Sequence, residues 1–142
     1  ANWLFPTWMG FPEVPVTPSE ILAFEPKTGQ FLWRYVAPPY DRMQPMGDEE
    51  GHFFRTYDPE RSICLPAMWA SPTTSGDGTT YVARSDGRLY AVRDANGDGI
   101  VAGEEEVATF WTGAGALHPG TAFSPNLMAM ATCDSLFVFR RQ

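Results

Sequence analysis

The residues best placed to do chemistry in this chain form one short string. Asp94, Asn96 and Asp98 alternate with small residues, Gly99 follows, and Glu105 stands six positions further on. The string fits D-x-[DN]-x-[DN]-G-x5-E at every position. Side-chain oxygens at alternate positions can line one side of a cation. Gly99 permits the sharp turn that brings the chain back. Ile100 can add a backbone carbonyl, Ala102 can act only through a water, and Glu105 can close the site with both carboxylate oxygens. Hard oxygen donors in this number suit calcium rather than zinc, so calcium is the expected cofactor, with Asp94, Asn96, Asp98, Ile100 and Glu105 as its ligands. Val101 is apolar and is expected to pack beneath the loop. Glu104 or Glu106 replaces Glu105 if the loop ends differently. An acidic, glycine-rich turn without an ion is the plainer alternative.

Such an EF-hand-type loop acts as a sensor when two helices flank it. Here the flanks are Leu89-Tyr90-Ala91-Val92 and Val107 to Trp111, which are rich in β-branched and aromatic residues. The ion is therefore expected to staple a connection between strands. Elsewhere the chemistry is sparse. His52 and His118 are isolated in sequence, and no nucleophile elbow, phosphate loop or dinucleotide fingerprint occurs. No catalytic residue is assigned, and the chain is read as a non-enzyme. Cys64 and Cys133 form no metal pair or CxxC motif. One structural disulfide between them is the preferred reading, with two buried thiols as the alternative.

The chain's 142 residues suit a single domain, and 44% hydrophobic residues suffice for a core. A formal charge of −7 argues against nucleic acid, which needs a cationic face. The absence of any apolar run near 18 residues argues against a membrane span. The chain opens on Ala1 with no initiator Met or signal-type leader, as a processed protein would and as a chain cut at an arbitrary boundary would equally. Thirteen Pro and thirteen Gly favour short strands and irregular connections.

Residues 1–18 carry Trp3, Phe5, Trp8 and Phe11 among prolines, and are read as an extended arm that lays its aromatics on a neighbouring surface or on another subunit. Strands are expected at Ile21–Phe24 and Gln30–Tyr35, joined by a turn at Glu25–Gly29. Residues 36–66 are read as a long irregular loop. Strands follow at Thr79–Arg84, Leu89–Val92, Val107–Trp111, Leu127–Thr132 and Leu136–Phe139, punctuated by turn residues at Ser75–Gly78, Ser85–Gly87 and Cys133–Ser135.

Three of these strands align as an internal repeat: Ile21-Leu22-Ala23-Phe24, Leu89-Tyr90-Ala91-Val92 and Leu136-Phe137-Val138-Phe139. Ser71-Pro72 and Ser124-Pro125 share an upstream mark. Trp33 and Trp111 share a downstream one and are read as core residues that dock neighbouring units. The two later copies stand roughly 50 residues apart, a spacing typical of propeller blades. The stretch Ala23-Phe24-Glu25-Pro26-Lys27-Thr28-Gly29-Gln30-Phe31-Leu32-Trp33 resembles the strand-turn-strand motif of the quinoprotein-like (PQQ-type) β-propeller repeat family, and residues 71–92 look like the preceding strands of such a blade. The resemblance implies an all-β fold of about two propeller-like blades, each an antiparallel four-stranded sheet. A closed propeller needs at least four blades, so the chain is read as a compact two-sheet structure in which the N-terminal hairpin completes the last sheet, with a fragment of a larger propeller or one subunit of a ring closed by symmetry as the alternatives. It also places the loop at 94–105 where the first copy has a Thr-Gly turn. The family's adjacent cysteines are absent and the blades are too few, so PQQ binding is not expected.

The resulting expectation is a non-catalytic, calcium-stabilised β-repeat scaffold or accessory subunit of a larger protein assembly, for instance on the lumenal side of a photosynthetic membrane complex. Calcium and a disulfide both suit an extracytoplasmic site: lumen, periplasm or secreted. The alternatives are a fragment of a PQQ-dependent dehydrogenase-like propeller and a secreted glycan- or peptide-binding module.

Overall fold

The computed structural model describes residues 17–40, 69–84, 87–112, 120–132 and 135–140. The aromatic arm (Trp3, Phe5, Trp8 and Phe11), residues 41–66 of the long loop, both histidines, Cys64 and Cys133 lie outside these residues. What is described is all-β, and among it no helix is long and apolar enough to cross a membrane.

Among the described residues, ten strands form three sheets. The first sheet joins β1 (Thr17–Phe24), β2 (Phe31–Tyr40) and the two-residue β6 (Ile100–Val101), in the order β1-β2-β6. The second has the order β3-β4-β5-β7, from β3 (Thr73–Thr74), β4 (Thr80–Ala83), β5 (Arg88–Val92) and β7 (Val107–Trp111). The third joins β8 (Ala122–Ser124), β9 (Leu127–Ala131) and β10 (Leu136–Arg140), in the order β10-β9-β8.

The local chemistry of the turns explains the hairpins. Glu25 N donates to Gln30 O (2.8 Å) and Gly29 N to Glu25 O (2.8 Å), closing the β1–β2 turn with Gly29 at φ 71. Pro125-Asn126 fills the centre of the β8–β9 turn, with Asn126 at φ 66. A proline followed by a residue of positive φ is the preference of a type II turn.

The four-stranded sheet is the middle layer. Val82, Tyr90 and Val92 pack from one of its faces into a cluster with Tyr35, Ala37 and Val101 of the first sheet. Ala83 and Leu89 pack from the other face against Met130 of the third sheet, with Tyr81, Met128, Phe137 and Phe139 around them. Covering both faces removes the polar alternation expected of a half-exposed strand, and three of the four β4 residues are buried. Full burial of a side chain such as Val92 (0% exposed) contributes about 1.5–3 kcal/mol. Edge-to-face contacts of Phe110 with Phe137 (5.5 Å) and Phe139 (5.1 Å) extend the second interface. Arg84, 3% exposed, lies over the Trp69 and Tyr90 rings and donates to Pro38 O, tying the middle layer to β2.

The described residues are all-β, as expected, but they do not divide into a pair of four-stranded antiparallel blades. One sheet has four strands and two have three, and no closed propeller is present among the described residues. The N-terminal hairpin does not complete the last sheet. It pairs with β6, which runs parallel to β2 (Arg34↔Ile100, Tyr35↔Val101). The irregular region does not begin at residue 36, because β2 continues to Tyr40. Tyr35 and Ala37 are buried and Val36 is exposed, so the strand period outlasts the point where Pro38-Pro39 suggests a break. The ladder takes up the prolines through a register shift: Thr17 pairs with Tyr40 but Ser19 with Ala37. Trp33 packs on the first core, as expected of a docking residue. Trp111 does not: it is 56% exposed, at the far end of β7 opposite Arg88.

Candidate functional site: the β5–β7 loop

β5 and β7 form an antiparallel pair that closes at Val92↔Val107, and Arg93 N donates to Glu106 O (3.0 Å) above it. The connection between them contains all of residues 94–105. The loop thus sits between strands.

Its first half is organised by side-chain oxygens that accept from the backbone. Asp94 Oδ1 accepts from Gly97 N (2.8 Å) and Oδ2 from Gly99 N (3.1 Å). Asn96 Oδ1 accepts from Asp98 N (2.8 Å), and Asp98 Oδ1 from Ile100 N (2.7 Å). Asn96 Nδ2 donates to Asp98 Oδ2 (3.1 Å), so Asn96 and Asp98 touch directly. Short polar side chains bonding their own backbone two or three residues on are the usual means of holding such turns. Asp94, Asn96 and Asp98 are thereby gathered around one stretch of backbone.

The second half docks on the first hairpin. Arg34 N donates to Gly99 O (3.1 Å), beginning the parallel β2–β6 pair. Carbonyls alternate in direction along an extended segment, so the Ile100 carbonyl is directed away from β2. Gly99 has φ +81, and a Cβ there would meet Leu32 O at 3.3 Å. Both the turn and the close approach of β2 require glycine. Val101 is buried at 3% exposure in the first core cluster, while Ile100 is 55% exposed.

The C-terminal end holds a residue that the motif does not weight. Glu105 is exposed, whereas Glu106 is only 7% exposed. Glu106 Oε1 accepts from Ala95 N (2.9 Å) and Asn96 N (3.2 Å), and Oε2 from Ala102 N (3.0 Å). These donors, Ala102 N first, then Ala95 N and, less, Asn96 N, hold the Glu106 carboxyl below its ordinary value against the opposing effect of desolvation. Glu106 therefore closes the loop through the backbone, with its side chain opposite in phase to the core-facing Val107.

Among the described residues no three His, Cys, Asp or Glu side chains are grouped as a metal site. Of the expected ligands, Asp94, Asn96 and Asp98 are tied to one turn by the hydrogen bonds above, and Glu105 is exposed. A second polar turn sits between β3 and β4. There Ser75 Oγ and Thr79 N both donate to Asp77 Oδ1, holding its carboxyl down at about 2. A groove of about 430 Å³ lies between this turn and the third sheet, lined by Asp77, Tyr81, Phe123, Asn126, Phe139 and Arg140 among others. It contains none of the expected site residues. No protein-family model and no curated protein matches the chain.

Proposed function

We propose that this protein is a non-catalytic β-repeat scaffold in which one calcium ion clips the β5–β7 connection to the β1–β2 hairpin. Asp94, Asn96 and Asp98 supply side-chain oxygens, Ile100 supplies its carbonyl, and Glu105 swings in to close the site. Glu106 holds the loop backbone in place. The observation that supports this reading best is the shared role of consecutive residues. Gly99 and Ile100 link the acidic turn to β2, and Val101 anchors the same segment in the core. An ion held there would stabilise the contact between two sheets. With strands on both sides and Val101 buried, the loop has no helix pair to open, which favours a clip over a switch. A calcium clip suits an extracytoplasmic accessory subunit of a larger assembly, where the ion is abundant enough for mass action to stabilise the fold.

Calorimetric titration of the full chain with calcium tests this. One site per chain is expected, with magnesium binding far more weakly because it demands tighter octahedral geometry. Absence of any calcium heat or stabilisation at millimolar ion would overturn the assignment.

A further inference from the structure

We infer that β10 of one copy of this chain adds to β1 of another, joining copies head to tail. Both are edge strands among the described residues: β1 ends the order β1-β2-β6 and β10 ends β10-β9-β8. An edge of this kind offers unpaired N–H and C=O groups to another strand.

The direction of those groups follows from the hydrogen bonds already made. Glu25 N donates to Gln30 O, so the Glu25 backbone faces β2. Backbone direction alternates along a strand, and Phe24, Leu22 and Glu20 therefore face the open side. The β2–β6 pairing agrees: Arg34, the register partner of Leu22, spends its N–H on Gly99 O, away from β1. At the other edge, Thr132 N donates to Ser135 O (2.7 Å), so Ser135 faces β9. Leu136, Val138 and Arg140 then face outward.

One antiparallel alignment satisfies both edges. Leu136 lies opposite Phe24, Val138 opposite Leu22, and Arg140 opposite Glu20. Every outward backbone group then meets another, and each of these pairs can exchange two hydrogen bonds. The side chains agree with the backbone. All six residues are exposed, among them Leu136 at 70%, Val138 at 59%, Phe24 at 50% and Leu22 at 44%. The alignment places apolar on apolar twice and Glu20 against Arg140. On the opposite face it sets Ile21 and Ala23 beside Phe139 and Phe137, all of them half-buried. A slip of one residue would turn the outward groups of one strand toward the inward groups of the other.

The partner is a second copy because the two strands belong to outer layers on opposite sides of the middle sheet. A head-to-tail contact of two different edges generates a ring or an open chain of copies. This pairing specifies a partner for the scaffold proposed above. It stands on the strand edges alone, so its failure leaves the calcium test untouched.

Sedimentation velocity of the full chain from sub-micromolar to tens of micromolar provides the test. Concentration-dependent association is expected. Glu20→Arg and Arg140→Glu should each weaken it about fivefold or more, since like charges directly opposite repel. The double variant should restore it. Val138→Pro removes only an outward N–H and should abolish association while β9–β10 pairing survives. Circular dichroism checks that each variant folds, and the two charge reversals, both at exposed positions, carry the test if the proline variant does not. A protein that stays monomeric throughout, or association indifferent to both single reversals, overturns the proposal.

Discussion

Removing the Asp94 carboxylate separates the loop's own cohesion from the contribution of an ion. In Asp94→Ala, Gly97 N and Gly99 N lose their acceptors at 2.8 and 3.1 Å. Asp94 is only half-buried, so water replaces much of what is lost. The expected cost without calcium is about 1 kcal/mol. With calcium the difference grows. At an ion concentration about a hundred times Kd, the wild type gains about 2.7 kcal/mol, and a variant lacking the first ligand gains nothing. For a chain of 142 residues this corresponds to a rise in Tm of about 10 °C in the wild type alone. The assay is thermal unfolding by circular dichroism in chelator and across a calcium series, for both proteins. A wild-type Tm that ignores calcium refutes the clip. A full calcium shift retained by Asp94→Ala refutes this ligand set.

Two further outcomes follow from the same loop. Glu106→Gln should lower the urea midpoint at neutral pH. Because the folded carboxyl titrates below its ordinary value of 4.5, its contribution is complete above that value and fades as pH falls through the depressed one, so wild type and variant should converge in acid. A gap that stays constant from neutral to strongly acidic pH would refute this role. Gly99→Ala should cost about 1–2 kcal/mol from positive φ alone, and more from the 3.3 Å approach to Leu32 O, whereas Gly97→Ala has the same backbone strain but open space around it. Equal losses for the two in chemical denaturation would show that β2 does not press on the loop.

The strands were legible in the sequence wherever period and turn chemistry agreed. Val107 to Trp111 is β7, and the turn at Glu25–Gly29 closes β1 on β2 as its Pro, Thr and Gly suggest. Thr17–Phe24 and Phe31–Tyr40 outran their expected limits. Prolines read as breaks in one dimension are accommodated by a register shift against a partner strand. Trp111 shares its downstream position with Trp33, yet only Trp33 meets the core, because a repeat in sequence does not fix which face a neighbouring layer covers.

The loop divides in the same way. Sequence alone determined the spacing of Asp94, Asn96, Asp98 and Gly99, because turn geometry and oxygen placement are set by residues a few positions apart. It also determined the strands on either side. Only the tertiary structure decided that Gly99 to Val101 would pair with β2, that Glu106 rather than Glu105 would turn inward, and that three sheets would stack with β1 and β10 as edge strands among the described residues. Those outcomes depend on contacts between segments far apart in the chain, where the competing partners differ by a few hydrogen bonds and a few buried side chains, and no local pattern records which partner wins.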